Sequence, residues 1–123
     1  MNSDVDKVLK KMLKDIRSGF YQVMILKIIA VEGPLHGYAV RKRIEELSNS
    51  TLEPSESTIY ETLKKLEKLK LIEGFWAKSP YDGAPPRKYY RVTSLGLRVL
   101  DRIVNEIKIF LNITKKILEV EKQ

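Results

Sequence analysis

The apolar residues of this chain follow a helical period, abandon it once at Leu71, and resume it at Thr93. Before Leu71, Val5, Val8, Leu9, Met12 and Ile16 recur at three- and four-residue steps with lysines between them, which predicts an amphipathic helix over 4–17. Ser18-Gly19 is expected to break it from residues 20–32, which are apolar on nearly every side and suit a helix buried in the middle of a small domain. Glu32-Gly33-Pro34 stops that segment. GPLHG leads into YAVRKRIEELS, a short helix with Tyr38, Val40 or Arg41, Ile44 and Leu47 on its apolar side. SNSTLEP is a polar turn whose proline biases Glu53 away from helix. The next helix begins at Ser55, with Ser55, Ser57 or Thr58 as caps and Thr58-x-x-Glu61 as a capping box. From Leu71, LIEGFWAK and RKYYRV are short, aromatic and β-branched, and they flank the turn formers of SPYDGAPP. This predicts a two-stranded ribbon with an eight-residue tip. Thr93 then caps a long final helix.

A helix, a short turn and a second helix capped by hydroxyl residues is the helix-turn-helix order, and the ribbon after it is where a wing would stand. The expected fold class is mainly α with a small two-stranded β wing: a winged helix-turn-helix over 19–92, between an N-terminal amphipathic helix (1–18) and a C-terminal helix (93–123) that serve dimerisation. At 123 residues the chain is one domain's worth of sequence. It contains no cysteine, so disulfides and Cys-based metal sites or nucleophiles are excluded, and no cofactor is expected. Its longest strongly apolar run, VMILKIIAV, is interrupted by Lys27 and falls far short of the roughly 20 residues that span a bilayer. The N-terminus lacks the order of a signal peptide, so a cytoplasmic location and no membrane partner are expected.

The segment SESTIYETLKKLEKLKLIEG holds four bases and four acids, although its shape suggests a DNA reader. The charges separate by face. At about 100° per residue with Leu63 at zero, Ile59 and Leu66 lie near −40° and −60°, whereas Lys64, Ser57, Lys68, Glu61 and Lys65 lie between about 100° and 200°. Glu56 and Glu67 fall at the border of the buried face. The outward stripe thus carries three bases against one acid, Glu61, which either pairs with Lys65 or accepts from a cytosine amino group. A Lys-rich outer face is also what a merely solvated helix shows.

The ribbon adds weight to DNA. The net charge is +7, and its densest excess, +3, lies in residues 78–91, where Lys78, Arg87, Lys88 and Arg91 face only Asp82. Alternation sends Tyr90 and Val92 to the core and Arg87, Tyr89 and Arg91 to the other face, with Lys88 escaping the core near the tip. Trp76 is expected in core or wing packing.

From Leu97 a seam of Leu97, Leu100, Val104, Ile107, Leu111, Thr114 and Leu118 keeps steps of three and four, the spacing of inter-helix packing. Ile103, Phe110, Ile113 and Ile117 widen it beyond what one partner helix covers. The N-terminal helix through Val8 and Met12, and a second subunit, are expected to cover it as an isologous homodimer; an intrachain core is the competing reading. His36 is the only histidine and sits in a Gly-flanked turn, and no catalytic cluster accompanies it, so no enzyme is expected. A winged helix used only for protein contact, without specific DNA binding, is the alternative function.

Three pieces, ILKIIAVEGPLHGYAVRKRI, SESTIYETLKKLEKLKLIEG and PPRKYYRVTSLGLRVL, together resemble the PadR family of transcriptional regulators. Gly33, Gly37, Tyr38, Thr58, Tyr60, Leu63, Leu66, Arg87, Lys88, Tyr89, Tyr90, Thr93 and Gly96 stand where the family pattern wants them. Glu56 and Ser57 depart from it, replacing the Ser-Gly or similar pair that often precedes Thr58. The resemblance implies a dimeric regulator of double-stranded DNA, usually a repressor released by a small molecule. DNA contacts would come from Tyr38, Ser55, Ser57, Thr58, Tyr60, Glu61, Lys64, Lys65, Lys68, Lys78, Arg87, Lys88 and Tyr89. The dimer would use Val8, Met12, Leu97, Leu100, Val104, Ile107, Phe110, Leu111 and Leu118. An effector would be small, apolar or aromatic, and would meet Phe110 and Ile107.

Overall fold

A computed structural model describes residues 3–81 and 83–122. Asp82, the lone acid of residues 78–91, lies outside the described residues. The order is α1 (Asp4–Glu32), β1 (Leu35–His36), α2 (Gly37–Leu47), α3 (Glu56–Lys68), β2 (Ile72–Ala77), β3 (Arg87–Val92) and α4 (Ser94–Leu118). The three strands form one antiparallel sheet in the order β1-β3-β2. The expected ribbon is present and gains a third strand, because Leu35 and His36 pair with Tyr90 and Tyr89.

The break expected at Ser18-Gly19 does not occur. α1 runs through it as one helix of 29 residues, started by a capping box between Ser3 and Asp6 and ended at Gly33, whose φ of 83° only glycine adopts readily. A mid-helix glycine costs only about 1 kcal/mol relative to alanine. The burial of Tyr21, Ile25, Leu26, Ile28 and Ile29 just beyond it outweighs that cost.

The core gathers this half of α1 with Val40 and Ile44 of α2, Ile59, Leu63 and Leu66 of α3, and Leu71, Ile72 and Tyr90 of the sheet. Tyr90 is 5% exposed, as alternation required. Leu47, assigned by period to an apolar face, is instead mostly exposed, because it stands at the last turn of α2 beyond the core's edge.

α4 is locked to the sheet at its start. Thr93 Oγ1 accepts from Gly96 N–H (3.0 Å) and donates toward the carbonyls of Lys70 (2.7 Å) and Leu71 (3.1 Å). Gly96 lies so close to the Leu71 carbonyl that a Cβ there would overlap it. The Thr-x-x-Gly spacing is thus a docking device for the last helix.

Candidate nucleic-acid interface

α3 begins at Ser55, whose Oγ accepts from Thr58 N–H (3.1 Å) and lies 2.9 Å from Thr58 Oγ1. Ser55 is therefore the cap among the three candidates, and the Thr58–Glu61 capping box is not formed, because Thr58 already lies inside the first turn. Ile59, Thr62, Leu63 and Leu66 are buried, with the Thr62 hydroxyl donating to the Thr58 carbonyl (2.7 Å). Ser57, Glu61, Lys64, Lys65 and Lys68 are all exposed, as the wheel placed them. Among the described residues none of the five forms an ion pair, so Glu61 does not restrain Lys65.

The border glutamate Glu67 has a use the sequence did not disclose. Its Oε2 accepts from Gly74 N–H (3.2 Å) and its Oε1 from Lys88 Nζ (3.3 Å), clasping the end of α3 to both strands of the wing. A methyl at Gly74 would overlap Lys88 Cε and crowd this carboxylate. Lys88, expected to escape toward the tip, instead turns inward, half-buried, with Nζ 5.4 Å from the Tyr90 ring centre. Position along the strand did not release it because Lys88 shares the inner face with Gly74, Tyr90 and Trp76, where Glu67 offers a partner.

On the outer face, Arg91 is held by Glu73 (2.7 Å) and lies over Phe75 (4.5 Å to the ring centre). Tyr89 is half-buried between Phe75 and His36. Lys78 is exposed and, among the described residues, in no ion pair.

His36 caps α2: its Nδ1 accepts from Ala39 N–H (3.2 Å). An accepting Nδ1 leaves Nε2 as the protonated nitrogen of a neutral ring. The Arg87 guanidinium 3.1 Å from Nε2 then brings donor against donor and is not satisfied there. Burial, followed by the charge of Arg87, lowers the His36 pKa and keeps the ring neutral. Arg87 thus stands exposed at the tip end of β3, close to His36 and, among the described residues, in no ion pair.

Between wing and α3 lies a cleft of about 620 Å³ lined by Tyr38, Tyr60, Trp76, Arg87 and Lys88 among others. Trp76, expected to be packed, is 70% exposed at the end of β2. It falls on the core-facing side of the strand, but the core stops at Tyr90 and leaves the indole over open space. Tyr38 and Tyr60 are exposed beside it, so this cleft is aromatic with cationic edges.

On the far side of the molecule the seam of α4 divides. Leu100 is 6% exposed and belongs to the chain's own core, which removes it from the residues available to a partner. Val104 and Ile107 are half-buried. Leu97, Phe110, Leu111 and Leu118 are exposed, as are Val8 and Met12 on α1. An open apolar cavity of about 430 Å³ runs between α1 and α4, lined by Phe20, Val23, Ile103, Ile107 and Phe110 among others. Among the described residues no cluster of His, Cys, Asp or Glu is placed to hold a metal ion, and no helix is long and apolar enough to cross a membrane.

The arrangement has known counterparts. Residues 25–102 match the model of the transcriptional regulator PadR-like family. An uncharacterized protein of Lysinibacillus sphaericus is 35% identical over 92 residues, covering 75% of this chain and 82% of that one. A PadR family transcriptional regulator from Eggerthella lenta superposes with a TM-score of 0.75 at 28% identity, covering 95% of this chain and 97% of that one. Bacillus subtilis PadR, solved in complex with operator DNA, shares the fold with a TM-score of 0.59 at 24% identity, over 68% of this chain and 45% of that one.

Proposed function

This chain belongs to the PadR-like family of transcriptional regulators, and from that premise we propose that it is a homodimeric repressor that binds an inverted-repeat operator. The observation that carries this reading is the outward face of α3, where Ser57, Glu61, Lys64, Lys65 and Lys68 stand exposed and free of ion pairs among the described residues, beside a wing that presents Arg87. α3 enters the major groove, and the wing follows the phosphates. The Bacillus subtilis relative's complex with operator DNA supports the same use of the fold.

Arg87 and Lys78 supply the wing's charge to DNA. Arg91 is engaged by Glu73, and Lys88 must leave Glu67 to reach a phosphate. Tyr38, Tyr60 and Tyr89 add hydroxyl contacts at the edge. Dimerisation buries the exposed apolar residues of the first half of α1 and the last half of α4. A small apolar or aromatic effector fits the cavity between α1 and α4, where Phe110 and Ile107 line the same space.

Mobility-shift titration of wild type, Lys64→Ala and Arg87→Ala tests the assignment. Both variants are expected to weaken binding about 10-fold or more, at roughly 1–3 kcal/mol for removal of a base contact or of a charge-assisted bond to phosphate, while remaining dimeric by sedimentation. Unchanged affinity in both variants overturns it.

A further inference from the structure

We infer that the first half of α1 carries a second DNA-backbone surface, a basic stripe of Lys7, Lys10, Lys14 and Arg17 on the flank of α3 opposite the wing; the inference rests on the DNA-binding reading above. With Lys10 at zero and about 100° per residue, Arg17 lies near −20°, Lys14 near 40°, Lys7 near 60° and Tyr21 near 20°. Tyr21 is buried in the core, which fixes this face toward the winged-helix body. The apolar residues Val8, Leu9, Met12 and Ile16 lie between about 160° and 260°, on the opposite side. One helix therefore offers an apolar face to a partner subunit and a basic face elsewhere.

The basic face reaches α3. Lys10, Lys14 and Arg17 line a groove of about 310 Å³ whose other wall includes Thr58, Glu61, Thr62 and Lys65. On the wheel of α3 these four lie between about 160° and 260°, whereas Tyr60, which borders the wing cleft, lies near 60°. Lys64 and Lys68, near 100° and 140°, stand between them. The outward lysines are thus flanked by two shoulders, the wing on one side and α1 on the other.

A helix seated in a major groove has a phosphate backbone along each flank. The wing serves one backbone, and the α1 stripe serves the other. Lys7, Lys10, Lys14 and Arg17 are all exposed, and among the described residues none is in an ion pair. The acids on the groove are Glu53 and Glu61, outnumbered by Lys10, Lys14, Arg17 and Lys65. Such cations read no sequence: they add affinity and salt dependence without selectivity.

The test compares the salt dependence of binding to random-sequence duplex DNA for wild type, the triple variant Lys10→Gln, Lys14→Gln, Arg17→Gln, and the control Lys27→Gln, an exposed cation of the same helix remote from the groove. Each phosphate left without its cation lowers the slope of log affinity against log salt by about 0.9, so the triple variant in a symmetric dimer is expected to lose about 2 to 5. The control keeps the wild-type slope, and sedimentation shows the same assembly for all three. Lys14→Gln alone, expected to lose up to about 1.8, decides the matter if the triple variant does not fold. Wild-type affinity that is independent of salt removes the DNA-binding reading itself. A wild type that binds with normal salt dependence beside a triple variant of equal slope overturns the stripe alone, as does a folded triple variant that fails to assemble.

Discussion

His36 Nδ1 accepts from Ala39 N–H, and that bond decides what the ring offers at its other nitrogen. Protonation would cost the cap of α2 and place a second positive charge against Arg87. The folded protein therefore binds the proton less readily than the unfolded chain, whose histidine titrates near 6.5. Stability from this residue is fully present above that pH and is lost as pH falls from about 6.5 toward the lowered folded value. Denaturant melts across this range should show the midpoint falling on the acid side. His36→Asn, which retains a capping oxygen and removes the titration, should flatten that part of the profile; an unchanged acid-side slope would contradict the role given to the ring. The histidine's position in a Gly-flanked turn was legible in the sequence. Its full task was not, because the guanidinium of Arg87, 51 residues away, meets the ring only after β1 pairs with β3.

At the scale of elements, the seating of α4 depends on Thr93 and Gly96. Substituting Gly96→Ala drives a methyl into the Leu71 carbonyl, a backbone atom that cannot step aside, and is expected to lower stability by about 1–3 kcal/mol. Chemical denaturation reads this directly, and a variant as stable as wild type would contradict the close approach. Lys70 offers the opposite case. It follows α3 with φ of 62°, and Leu71 N–H returns to the Leu66 carbonyl in the pattern of a Schellman end. Lys70→Gly should relieve the left-handed backbone and stabilise the fold by about 1 kcal/mol, seen as a higher denaturation midpoint.

Helix periods, the turn at Gly33-Pro34 and the alternation of Tyr89 and Tyr90 were readable because each depends on neighbours in sequence. The continuity of α1 through Gly19 was not, since a glycine's local cost of about 1 kcal/mol is decided by packing at Tyr21 and Ile25. Trp76 escapes a sequence reading for a related reason: strand alternation gives the side of the sheet but not how far the core extends beneath it. The inward turn of Lys88 required Glu67, which the wheel could place only at a border.

For the molecule as a whole, the first half of α1 and the last half of α4 expose Val8, Met12, Phe110, Leu111 and Leu118, with Phe110 67% exposed. A chain that kept this surface bare would associate indiscriminately; the proposed isologous dimer would cover it. In the proposed dimer, Phe110→Asp would remove a ring buried at two symmetric places and add two charges, so dimerisation should weaken by about 10²-fold or more, at roughly 1.5–3 kcal/mol per buried side chain. Sedimentation at a series of concentrations gives the constant, and an unaltered dimer would place the interface elsewhere.

In the proposed homodimer, two copies of α3 related by a two-fold axis would read two half-sites about 10 base pairs apart, or multiples of that spacing. Selection of bound duplexes from a random pool tests this together with the major-groove role of α3. The predicted result is an enriched inverted repeat with half-sites at that spacing, which Lys64→Ala selects less sharply. A pool that emerges with no enriched sequence, or with a single unrepeated element, would contradict the two-fold operator reader.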